Sequence, residues 1–290
     1  MIIDKLYEEV QKKGCVCVGL DTAPEYLPES LIKENGTIGQ AIFEFNRRII
    51  DATHDVAGCF KVQIAYYESM GMEGLEAYKK TLAYLREKGG VTIADIKRGD
   101  IAKTAEMYAK AHFSGDFEVD MVTLVPYMGM DSFLPYLPYV KNEEKGMFIL
   151  VRTSNPGSKD FQYIKNTNGI TLYDTVGGCV QNLGSDFMGT CGYSSIGAVI
   201  GGTSSEEASS IRTSLNQTFF LIPGYGAQGG KASDIALYLK NGNGGVVNSS
   251  RGILLAYRKA DNEAHFEDAA RQEVVRMREE IARECQLLCK

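Results

Sequence analysis

Val91-Thr-Ile-Ala-Asp-Ile-Lys97 is a short β-prone run, mostly apolar, that ends on two charges. Runs of this kind are strands covered on both faces, as in parallel sheets. Seven more recur along the chain, at residues 15–21, 58–63, 121–126, 147–153, 196–202, 219–223 and 245–250. The eight starts lie 23 to 49 residues apart, room for a crossover helix each time.

The segments between them carry helical periodicity. Ile38, Ile42, Phe45 and Ile49 step by four, three and four, and Leu75, Tyr78, Leu82 and Leu85 by three, four and three. Phe266, Ala270, Val274, Met277, Ile281, Cys285 and Leu288 form one apolar stripe on an otherwise charged helix. Eight βα units without a linker-like shift in composition predict an α/β fold, a (β/α)8 TIM barrel, with residues 1–290 as a single domain. Periodicity alone does not show closure, so a doubly wound open sheet stays open at this level.

Composition narrows the function. Of 290 residues, 44% are apolar and 23% charged, which excludes a disordered chain, a collagen repeat and a coiled coil. The formal charge of −6 argues against a nucleic-acid surface and against binding to anionic membranes. Seven cysteines at irregular spacing form no C-x-x-C, and with three histidines no zinc site is expected. His54, His112 and His265 fall in helical segments and read as packing or surface residues, and Cys285 and Cys289 read as binding nothing. The start Met1-Ile-Ile-Asp-Lys-Leu-Tyr-Glu-Glu has acids where a signal peptide needs a basic and then an apolar stretch. The uncharged stretch 187–205 is too rich in Gly, Ser and Thr to span a membrane. A cytoplasmic location is expected.

A barrel carries its chemistry at the C-terminal ends of its strands. There the sequence places Asp21, Lys61, Asp95 and Lys97, then Arg152-Thr-Ser154 and Ser249-Ser-Arg251. Asp95 and Lys97 are two apart on one strand, so both point to one face. Asp100 follows where it could cap the next helix. A structural ion pair with a helix cap is the plain reading of these three residues. Lys61 and Asp21 at the ends of neighbouring strands weigh against it, because clustered amines and acids are costly unless used. A second signal is Pro223-Gly-Tyr-Gly-Ala-Gln228-Gly-Gly230 after the seventh strand, followed by Arg251 after the eighth. Barrels often hold a phosphate between these two loops, and a guanidinium suits a dianion, although a glycine-rich loop alone is more often a turn.

Taken together, these segments resemble the orotidine 5′-monophosphate decarboxylase family in its longer bacterial form. The resemblance runs through Gly19-Leu-Asp21, Phe60-Lys61-Val62, Pro126-Tyr-Met-Gly129, Thr153-Ser-Asn-Pro-Gly157 and the two phosphate-loop segments. Its most specific part is Asp95-Ile-Lys97-Arg-Gly-Asp100-Ile-Ala-Lys-Thr104, which carries D-x-K-x-x-D-I-x-x-T at every fixed position. The resemblance implies cofactor-independent, metal-free decarboxylation of orotidine 5′-monophosphate to UMP. It implies that Lys97 protonates C6, Asp95 lies beside the substrate carboxylate, and Lys61 and Asp21 hold the ribose. Asp100 and Thr104 are implied to reach into the neighbouring subunit of a homodimer. Ser154 would contact the pyrimidine, with Pro223, Gln228, Gly229, Ser250 and Arg251 around the phosphate end. Loops 224–233 and 155–170 would cover the two ends of the substrate. A Mg²⁺-dependent sugar-phosphate lyase shares the D-x-K-x-x-D core, but Lys61 would repel the metal. A silent phosphate-binding barrel would need none of Asp95, Lys97 and Asp100.

Overall fold

The computed structural model describes residues 1–202, 205–226 and 229–288. Eight strands appear in the expected order: β1 (Val16–Gly19), β2 (Cys59–Gln63), β3 (Thr92–Arg98), β4 (Met121–Leu124), β5 (Gly146–Arg152), β6 (Ser194–Ile200), β7 (Thr218–Pro223) and β8 (Gly245–Ser249). Each pairs in parallel with the next, and β8 returns to β1 through Val16↔Val247, Cys17↔Asn248 and Val18↔Ser249. That last pairing closes the barrel and removes the open-sheet alternative. The strands are buried along almost their whole length, as expected when side chains fill the inside and helices cover the outside.

The outer layer includes helices Ile38–Thr53, Gly71–Glu87, Ala102–Phe113, Leu172–Gly184 and Ser205–Ser214. The terminal helix Phe266–Leu288 buries the stripe from Phe266 to Cys285 against Ile38–Thr53, where Phe45 and Phe266 stack at 4.5 Å. Leu288 is exposed, because the stripe outruns the surface it packs on.

Helix Ile2–Lys13 was not anticipated. Its apolar face of Ile2, Ile3, Leu6 and Val10 closes the N-terminal end of the barrel, and Asp4 accepts a hydrogen bond from Cys191 N ahead of β6 (2.9 Å). Three strands stop two residues earlier than the sequence suggests: β4 ends at Leu124 because Pro126 opens a 3-10 turn, β1 at Gly19 and β6 at Ile200, while β5 and β8 each stop one residue early. His112 lies in a helix and is buried, whereas His54 is the residue ending a helix and His265 belongs to a 3-10 turn. Cys289 falls outside the described residues.

Candidate active site

A cavity of about 510 Å³ opens at the C-terminal end of the barrel. The strands or their immediate continuations all line it, from Asp21 and Lys61 through Asp95, Thr123, Leu150, Val199 and Leu221 to Asn248. Inside it the charges expected at the strand ends form one connected chain. Lys61 Nζ donates to Asp21 Oδ1 (2.9 Å) and pairs with Asp95 Oδ2 (3.1 Å). Lys97 Nζ donates to the other oxygen, Asp95 Oδ1 (2.6 Å).

Local backbone makes this possible. Simple strand alternation is not how Lys97 reaches the cavity. β3 carries an irregularity between Ala94 and Arg98, and Lys97 sits at φ +43°, a conformation that non-glycine residues rarely adopt. The Thr123 hydroxyl in β4 accepts from Lys97 N (3.0 Å) and donates to Asp95 Oδ1 (2.8 Å). One side chain therefore fixes both the kinked backbone and the carboxylate beside it. Strain of this kind, held by its surroundings, is characteristic of functional sites.

Asp95 is buried with its side chain 8% exposed, whereas the Lys97 side chain is 45% exposed at the cavity mouth. Burial on its own raises the Asp95 pKa. Lys61, Lys97 and the Thr123 hydroxyl outweigh burial and hold the carboxyl well below the ordinary carboxylate range. For the Lys61 ammonium the balance is the mirror image. Burial pulls its pKa down, and Asp21 and Asp95 hold it well above the usual lysine value.

A second hollow of about 220 Å³ adjoins the first and shares Asp21, Tyr66, Pro223 and Asn248 with it. Ser249, Ser250 and Arg251 line its far side. Ser250 Oγ is buried without a hydrogen-bond partner among the described residues. Gly19 sits at the β1–β8 seam beneath them. A Cβ there would come within 2.8 Å of Asn248 Oδ1 and 2.9 Å of Ser250 Cβ, so only glycine lets the seam close.

The remaining expected residues fall in different places. Ser154 and Asn155 line the main cavity, next to Thr153, which is fastened by Gln162 from the 155–170 loop (2.9 Å from Thr153 N). Gly229, at φ +90°, gives its N–H to Gly226 O (2.9 Å), so that donor is already engaged. Gln228 lies outside the described residues. Asp100 is not in the lining. Its carboxylate accepts from Ile101 N (2.8 Å), and the cap position of helix Ala102–Phe113 is held by Ile101 without a side-chain cap, which corrects the capping expectation. Thr104 is exposed on the first turn of that helix. Arg152 turns away from the cavity. It is buried against Gly201 O (2.8 Å), the Tyr163 hydroxyl (3.1 Å) and Glu207 (2.9 Å), tying β5 to β6 and the helix beyond. The residues that sequence reasoning did not single out are Thr123, Gln63, Tyr66 and Asn248.

Comparison with known proteins identifies the family. Residues 15–265 match the family described as Orotidine 5′-phosphate decarboxylase / HUMPS family. The chain belongs to this family. A Clostridium novyi protein named orotidine 5′-phosphate decarboxylase is 61% identical over 285 residues, covering 98% of this chain and 99% of the relative. A Clostridium kluyveri protein of the same name is 62% identical over 282 residues, covering 97% of each chain. Among solved structures, the Leishmania donovani OMP decarboxylase superposes with a TM-score of 0.73 at 28% identity, covering 96% of this chain and 98% of that one. Within the decarboxylase family, then, this enzyme carries the amine–carboxylate chain on β2 and β3 and, after β8, a hollow lined by Arg251.

Proposed function

We propose that the chain decarboxylates orotidine 5′-monophosphate to UMP and CO2 in pyrimidine biosynthesis, with no cofactor and no metal. The observation that carries this reading is the connected chain Asp21–Lys61–Asp95–Lys97 at one end of a cleft whose other end is lined by Arg251. Two ammoniums balance two carboxylates at the first end. The positive charge that attracts an anionic substrate to a chain of net charge −6 is thus focused at the second.

Breaking the C6–CO2 bond leaves its electron pair on C6, in an orbital outside the ring π-system. The ring cannot delocalise that pair, so the protein must stabilise it by electrostatics. The Lys97 ammonium stands at the cavity mouth for this and then gives its proton to C6; solvent restores the proton to Lys97. Asp95 positions Lys97 and lies beside the departing carboxylate. Lys61 and Asp21 hold the ribose hydroxyls, and Ser154 meets the pyrimidine. Pro223, Gln228, Gly229, Ser250 and Arg251 form the phosphate end, whose binding energy acts on a bond remote from it. A Mg²⁺-dependent lyase reading is disfavoured by Lys61, because its ammonium occupies the wall where a cation would sit.

We infer further that the protein works as a homodimer in which Asp100 and Thr104 complete the partner's site. Both lie outside their own cavity lining, on a surface bearing exposed Ile101, Met107, Tyr127, Met128 and Leu134. Large apolar side chains left exposed near these two residues are what an interaction face would cover.

The assay is direct. Loss of orotidylate absorbance should proceed at the same rate with and without EDTA. Activity that vanishes in the chelator and returns with Mg²⁺ would overturn the metal-free reading, and no turnover at all would overturn the proposed function.

A further inference from the structure

We propose that Tyr225 is a positioning residue for phosphate recognition, acting by tying the glycine-rich loop after β7 to the terminal helix through Glu280. The inference rests on the function proposed above and extends it. Between Pro223 and Lys231 only Tyr225, Ala227 and Gln228 carry side chains. Gly224 and Gly226 hold φ of +109° and +68°, conformations open to glycine but strained for other residues. A segment so poor in side chains is held among its described residues mainly by its own backbone hydrogen bonds, and any freedom it gives up on binding costs affinity.

Tyr225 supplies a side-chain anchor. It is buried at the base of the loop, 7% exposed, and its hydroxyl donates to Glu280 Oε2 at 2.6 Å. Its backbone makes a bridge with Gly230, and Gly230 N donates to Gly224 O (3.0 Å), closing the stem. Glu280 is itself paired with Arg276, which also holds Glu273 (2.7 Å). These three charged residues sit on a helix whose opposite face is packed into the molecule. The same Tyr225 lies against the hollow lined by Ser250 and Arg251. A rigid helix is therefore connected by one hydrogen bond to the stem of the loop that faces the phosphate end.

A structural role alone would lower every activity together. The anchor acts only on ligands that carry the phosphate. In Tyr225→Phe the ratio of kcat/KM for orotidine 5′-monophosphate to that for the phosphate-free nucleoside orotidine should fall roughly tenfold, the worth of one hydrogen bond to a charged acceptor. The dissociation constant of UMP should rise by a similar factor relative to that of uridine, a readout that does not depend on turnover. Glu280→Ala should reproduce both effects, Glu280→Gln should restore most of the ratio because its amide oxygen still accepts, and the double variant should be no worse than either single one. An unchanged ratio, or equal losses for phosphorylated and phosphate-free ligands, would overturn the anchor. Absence of orotidylate turnover in the wild type would instead count against the proposed function, and the UMP and uridine constants would still decide whether the anchor exists.

Discussion

Thr123 illustrates what a single residue does in this cavity. Its hydroxyl serves Asp95 and the backbone of Lys97 at once, and Lys97 needs that support because its φ is +43°. Thr123→Val keeps the shape and removes both bonds. We expect kcat/KM to fall about 10–100-fold with a smaller change in UMP affinity. Activity within twofold of wild type would remove Thr123 from the account. The sequence could not point to it, since a threonine inside an apolar run is ordinary β-strand composition. Asp21, Lys61, Asp95 and Lys97 were legible for the opposite reason: charges at the ends of apolar strands break the pattern. Arg152 satisfied the same rule and turned elsewhere, because Glu207 and Gly201 O offered a buried cation better partners than the cavity.

At the scale of elements, all eight strands were legible from apolar runs, and the closing β1–β8 pairing was not, since closure depends on register. Helix Ile2–Lys13 was harder to read, because half of its twelve residues are charged and only Ile2, Ile3, Leu6 and Val10 form its buried face. Helix Ala102–Phe113 carries a consequence for stability. His112 on that helix is buried, its Nδ1 has no partner among the described residues, and its ring lies against Phe117 (6.4 Å). Burial, aided by the nearby Arg98 cation, pushes its pKa down to about 4. In the unfolded chain the same ring titrates near 6.5, so the folded state favours the neutral form. Its contribution is complete above that value and is lost as pH falls toward 4, on the order of 2–3 kcal/mol. Urea midpoints measured from pH 7.5 to 4.5 should drop less steeply for His112→Gln than for wild type. Parallel curves would show that His112 does not carry this dependence.

At the scale of the whole molecule, one barrel brings together residues more than 200 positions apart, with Asp21 and Arg251 lining the same hollow. The proposed pairing of two such barrels makes a sharp prediction. Lys97→Ala and Asp100→Ala should each be inactive alone. If Asp100 serves the partner's site, half of randomly mixed dimers hold one intact site, so subunit exchange should restore about a quarter of wild-type activity. Silence of the mixture, with exchange verified by labelled subunits, would keep Asp100 within its own protomer.

The central claim concerns a protonated amine facing a carbanion, and the turnover of Lys97→Ala measures it most directly. The account predicts no detectable orotidylate decarboxylation while UMP still binds with an affinity near that of the wild type. Turnover within an order of magnitude of wild type by a variant that binds UMP normally would contradict it.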